Sequence, residues 1–130
     1  LVNADPTTYV LGSHPQVETS LSGKPNAEST WTLGPGESVE HRFKQPEVAI
    51  PVVAQYPHDW LVGWVAVLDR PHAVTDIMGR YEFELPVGPQ ALRVWHETLD
   101  TRDGERVVRE DEPADWSVTY LEGRRRRGGR

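Results

Sequence analysis

Apolar residues in this chain recur at every second position. Val39, His41 and Phe43 fall on one side of an extended segment, and Tyr81, Phe83 and Leu85 on one side of another, the spacing of half-buried antiparallel strands. The three- and four-residue repeat of an amphipathic helix is absent, and eleven Pro and eleven Gly interrupt every candidate helix. The pattern predicts strands over Thr8–Leu11, Thr30–Leu33, Ser38–Phe43, Val48–Ala54, Leu61–Leu68, Arg80–Leu85, Ala91–Trp95 and Trp116–Leu121. The run LVGWVAVL at 61–68 is apolar on both faces, which places it at the centre of a sheet.

Turn-forming residues separate these strands: Gly34-Pro35-Gly36, Gln45-Pro46, Asp76 to Gly79, and Pro86 to Pro89. Residues 13–29 are polar, with Val17 and Leu21 the only large apolar side chains, and read as a long surface loop suited to be a binding edge. Residues 97–115 read as an acidic excursion with a small hairpin centred on Val107 and Val108. Short strands at this spacing predict an all-β fold, a single antiparallel Greek-key β-sandwich over residues 1–121, followed by a basic tail at 122–130.

A chain of 130 residues suffices for one core without staples. The absence of Cys excludes disulfides, thiolate metal sites, Cys nucleophiles and iron–sulfur clusters. The chain opens on Leu1 rather than Met, so a preceding segment is expected to have been removed, and export is compatible with that. No apolar run approaches the ~20 residues of a membrane-spanning helix. Net charge is −6, unevenly spread: residues 1–120 hold nine Lys/Arg against nineteen Asp/Glu, and residues 121–130 hold five Arg against one Glu. An acidic body of this kind argues against a nucleic-acid-binding face.

Residues 44–97 read KQPEVAIPVVAQYPHDWLVGWVAVLDRPHAVTDIMGRYEFELPVGPQALRVWHE. This stretch resembles exported plastocyanin-like proteins of the methylamine-utilisation type, whose pattern runs PEV-x-I-PV-x-C-x-x-HPWM, then AVT-x-x-x-G-x-F, then a VWHE close. The second half is also similar to the carboxypeptidase-regulatory-like sandwich, a transthyretin-like, non-catalytic module. The resemblance implies a cupredoxin-like or transthyretin-like strand order and, in the first family, copper and electron transfer. Against that pattern Gln55 stands for the Cys ligand, Leu61 for the Met and Asp59 for a Pro, and the early His-x-x-His pair appears as Thr8 to Leu11. Only His58 survives of the ligand set, and one imidazole without thiolate or carboxylate support is a poor transition-metal site. No metal, cofactor or catalytic residue is therefore expected, and the scaffold reads as one retained after its chemistry was lost.

Rival readings of single residues are weaker. His58 and Asp59 are neighbours on an extended chain and point apart, so they do not make a base and its orienter. Trp95, His96 and Glu97 lack any nucleophile motif, and the structural expectation is that Trp95 plugs the core while His96 and Glu97 hold loop backbone. Two or three of the five indoles are expected in the core, with Trp60 the exposed one beside Asp59. Trp60 and the tail residues Arg124, Arg125, Arg126, Arg127 and Arg130 are the candidate partner-binding residues: an aromatic anchor and a cluster that pairs with acidic protein or anionic lipid head groups.

The function expected is that of a non-catalytic, cofactor-free accessory or structural subunit of a larger respiratory or photosynthetic assembly. Its place is the periplasmic or other extracytoplasmic surface of a bacterial membrane, and its partners are other protein subunits. The alternatives are a copper-binding electron carrier with a ligand set rebuilt around His58, and a glycan- or ligand-binding module of a longer secreted protein.

Overall fold

The computed structural model describes residues 1–120. The chain divides into two compact units, Leu1–His72 and the part from Ala73 onward. Sheets in both are antiparallel, and a single 3-10 turn is the only helical element described, so the all-β expectation holds. Among the described residues no helix is long and apolar enough to cross a membrane.

The first unit is a four-stranded sheet of β1 (Tyr9–Ser13), β2 (Ser29–Leu33), β3 (Glu47–Ala54) and β4 (Val62–Val67), in the order β2-β1-β3-β4. The interior strands are β1 and β3, and the run at 61–68, expected at the centre, supplies the edge strand β4 instead. Apolarity on both faces tells how a strand's two sides are solvated, not how many ladders it joins. Of the five buried apolar residues, Ala49, Ile50, Val52 and Ala54 lie on β3 and Leu33 on β2. Val62, by contrast, is 46% exposed.

Pro51 makes β3 look unfit for the interior, because proline donates nothing to a ladder. The sheet accommodates it by position. The last β1–β3 pair is Ser13↔Val52, and one step beyond it the Pro51 carbonyl accepts the His14 N–H at 2.9 Å. The missing donor of Pro51 thus falls where β1 has already ended. Towards β4 the ladder runs from Val53↔Val62 to Ile50↔Val65, then shifts register before Glu47↔Val67. That irregularity leaves Ala49 and Ile50 both buried and brings Glu47 fully inside.

Residues 38–43 do not form the expected strand. They join the sheet unit through an isolated Val2↔Ser38 bridge and reciprocal Leu1–Val39 backbone bonds. Their two-residue alternation has a different use. His41 packs edge-on between Trp31 and Phe43, with ring centroids 4.9 and 4.7 Å apart, so the segment lies against the Trp31 side of the sheet. The turn that leads into it is Gly34 to Glu37, where Pro35 precedes Gly36 at φ 75°, a conformation open to glycine. The buried Asn3 secures this corner: its amide donates to the carbonyls of Thr7, Leu33 and Gly34 at 2.7, 3.0 and 3.1 Å, and its Oδ1 accepts the Asp5 N–H.

In the second unit β5 (Gly88–Val94) and β6 (Arg102–Val108) form a two-stranded ribbon, in register from Gly88↔Val108 to Val94↔Arg102. The hairpin expected inside 97–115 is therefore a pairing of β6 with the preceding strand, and Val107 and Val108 lie at its end. Local hydrophobicity marked the Val pair, whereas the ladder is closed by the alternation of Leu92 and Val94 on the other strand. Neither Arg80–Leu85 nor residues 116–120 enters a ladder. Both still alternate: Phe83 and Leu85 are half-buried, as are Trp116, Val118 and Tyr120. Trp116 lies over Gly104 of the ribbon without pairing to it, and the Tyr81 hydroxyl donates to the Trp116 carbonyl, joining the two extended segments.

Between residues 76 and 80 the chain makes a tight turn organised by one side chain. Asp76 Oδ1 accepts the N–H groups of Met78 and Arg80 at 2.8 and 2.9 Å, and Oδ2 accepts Arg80 Nε at 3.2 Å. Backbone bonds from Asp76 N to Arg80 O and from Gly79 N to Asp76 O, at 2.8 and 2.9 Å, complete it.

Candidate interaction surface

The loop from Gln55 to Leu61 joins β3 to β4 and carries the segment on which the copper pattern falls. Three backbone bonds pin it: Gln55 N–H to the Val10 carbonyl at 2.8 Å, His58 N–H to Gln55 at 2.9 Å, and Leu61 N–H to His58 at 2.9 Å. The Tyr56–Pro57 peptide is cis. The backbone folds tightly and sends its two largest aromatic side chains outward: Tyr56 is 88% and Trp60 71% exposed. Trp60 is the most exposed of the five indoles, as its place beside Asp59 suggested. None of the five is buried, which corrects the expectation of two or three in the core and of Trp95 as a plug. The buried core is aliphatic and small because β3 contributes Ala and Val where an indole would need space.

His58 is turned inward and stacks edge-on against Tyr9, centroids 4.9 Å apart. Gln55 is exposed and Leu61 half-buried, and neither is a donor a soft metal would select. Among the described residues no three His, Cys, Asp or Glu side chains converge on a point. The donor set does not fit copper. His96 accepts the Thr98 N–H on Nδ1 at 3.1 Å, a loop-holding role of the kind expected for it.

A groove of about 230 Å³ lies on the Trp31 side of the sheet, lined by Leu1, Trp31, His41, Phe43, Val52 and Val65. It is smaller than the roughly 300–1,000 Å³ typical of small-molecule sites, and its lining is mainly apolar, with Trp31 and His41 the side chains that carry a polar atom.

The group with the most perturbed surroundings is Glu47, which the sequence reading passed over. It has no accessible surface. Oε1 accepts the Gln16 N–H at 2.7 Å and the Thr19 hydroxyl at 3.2 Å; Oε2 accepts the Asn26 N–H at 3.1 Å and its side-chain amide at 2.8 Å. Burial pushes the carboxyl upward, but the bonds from Asn26, Gln16 and Thr19 outweigh it and hold it below its ordinary range. The 13–29 loop is thus wrapped around one anion. Its base is closed by the Ser13↔Ser29 pair, its middle carries the 3-10 turn Val17–Thr19, and Asn26 Oδ1 reaches across to the N–H groups of Lys44 and Gln45. The only signal in the sequence was an acidic residue opening an otherwise apolar strand with no cation beside it.

Arg124, Arg125, Arg126, Arg127 and Arg130 lie outside the described residues. Of the predicted partner-binding residues the structure therefore places Trp60 alone, and it adds Tyr56 beside it. No family model matches this chain, and no curated protein or solved structure matches it either.

Proposed function

We propose that this protein is a non-catalytic, cofactor-free β module that serves as an accessory subunit of a larger membrane-associated assembly, docking on a protein partner through Tyr56 and Trp60. One observation carries the reading: two large aromatic side chains stand 88% and 71% exposed on a loop whose backbone is pinned at three points. Tyr and Trp dominate the energetics of protein interfaces, and a pre-ordered loop loses little entropy on docking. The resemblance to exported electron carriers supports an extracytoplasmic place and a respiratory or photosynthetic host, with the arginines of the tail adding contacts to protein or to anionic lipid.

Native mass spectrometry of the protein isolated from its own membranes, with elemental analysis of the same sample, tests this. Co-purification in a defined assembly without stoichiometric metal is expected, with Trp60→Ala weakening it by roughly 30-fold, the scale of an interface hot spot. Removing residues 122–130 should also weaken assembly without unfolding the module. A protein that runs alone with bound copper, or an assembly indifferent to Trp60 and Tyr56 together, overturns the proposal.

A further inference from the structure

We infer that the turn at Asp76–Arg80 is a bilayer-inserting prong that seats the protein on a lipid surface, with Ile77 and Met78 entering the acyl region and Arg80 at the phosphate level. The central positions of a tight turn ordinarily carry Gly, Asn, Asp or Ser. Here they carry Ile77, 101% exposed, and Met78, 72% exposed, while Val74 on the approach is 89% exposed. Water alone gives no reason for that placement.

Three features favour lipid over a protein pocket. The tip is wholly aliphatic and thioether, with no Tyr, Trp or Arg of the kind that anchors specific protein interfaces, so it offers partition and no directional contact. Four of its five backbone donors are satisfied from within: the N–H groups of Asp76, Met78, Gly79 and Arg80 all bond inside the turn, which lowers the cost of leaving water. At its base Arg80 uses Nε to hold Asp76 and keeps a 78% exposed side chain, and among the described residues its terminal guanidinium nitrogens have no hydrogen-bond partner. An aliphatic tip with a guanidinium at its base is the arrangement of an interfacial anchor, the cation reaching phosphate as the apolar residues sink. The acidic charge of the body disfavours strongly anionic bilayers, so the contact is one of partition more than of electrostatics.

The inference goes beyond the proposed protein docking and is tested without any partner. The chain has no Cys, so Met78→Cys gives a unique attachment point for an environment-sensitive fluorophore on the full chain, with Lys24→Cys as the control position. The probe is a vesicle of pure phosphatidylcholine, on which an Arg-rich tail has no anionic surface to find. At position 78 a blue shift is expected, with quenching by acyl-chain spin labels, and at position 24 neither. Unlabelled Ile77→Asp should bind vesicles about tenfold to a hundredfold less than wild type while keeping its melting temperature, and binding should persist at high salt. Failure of the wild-type chain to bind these vesicles overturns the inference and leaves the prong to a protein pocket. Binding that survives Ile77→Asp with Met78→Asp, or that salt abolishes, also overturns it. None of these outcomes bears on docking through Tyr56 and Trp60.

Discussion

Glu47→Gln is the substitution with the most to say about how this fold is held. The native carboxylate only accepts; of the four groups pointed at it, the Gln16 N–H and the two Asn26 N–H groups only donate, whereas the Thr19 hydroxyl can also accept, its proton having the Gln16 carbonyl as a second acceptor at 3.2 Å. A glutamine keeps one oxygen; its best arrangement retains the Asn26 pair and turns the NH2 group toward the Thr19 hydroxyl, which can accept it, and against the Gln16 N–H, which cannot. Each bond to a charged acceptor contributes about 1.5–3 kcal/mol. Glu47 is fully covered, yet the residues covering it are themselves partly exposed, so water screens the site and the lower end applies: about 1.5–2 kcal/mol for the lost Gln16 bond. That is a large share of a domain's ordinary 5–15 kcal/mol.

The assay is urea unfolding followed by amide NMR of the first unit, with hydrogen exchange at Gln16 and Asn26. The pH dependence adds a second reading. Because the folded carboxyl titrates below its ordinary 4.5, the stabilisation is complete above that value and is lost as pH falls through the lower, folded one. The gap between wild type and Glu47→Gln should therefore be widest near neutrality and close on acidification. A gap under about 0.5 kcal/mol at pH 7, the range of ordinary surface substitutions, with undiminished amide protection would refute the reasoning.

Other substitutions probe the remaining joints. Asn3→Asp turns a donor amide into a carboxylate facing the three carbonyls of Thr7, Leu33 and Gly34, and should lower stability by about 2–4 kcal/mol by urea titration, more than Asn3→Ala. Gly104→Ala places a Cβ 2.9 Å from the Trp116 ring, so the indole must shift; a loss of about 1–3 kcal/mol and a moved Trp116 indole resonance are expected. Asp103→Asn removes the ion pair and one of the two Arg93 contacts, at 2.7 and 3.0 Å, on the open face of the ribbon, and the urea midpoint in 0.15 M salt should not change measurably.

Fold class was legible from the two-residue period, and β2, β3 and β4 fall within a residue of the expected ranges. The period failed where it could not distinguish pairing from covering. Segments 38–43 and 80–85 alternate as strands do, the first with His41 packed between Trp31 and Phe43 and the second with Phe83 and Leu85 half-buried, but neither enters a ladder. Long-range pairing was equally hidden, since nothing local in the 102–108 stretch announces Val94↔Arg102. At the candidate surface Trp60 was visible as an indole beside a charge. Tyr56 was not singled out, because its exposure follows from the closure of the loop. Glu47 was missed because its partners are spread from Gln16 to Asn26, and only the folded loop assembles them.

Pro51 also acts as a key against misassembly. Moving β1 by two residues relative to β3 keeps every side chain on its proper face, so the hydrophobic pattern alone does not forbid it. In the direction that lengthens the ladder, such a shift sets Pro51 opposite Gly12, where the sheet requires a donor that proline lacks. The same residue that looks like a flaw in an interior strand therefore makes the competing alignment one hydrogen bond poorer, and lets β1 and β3 recognise a single way to meet.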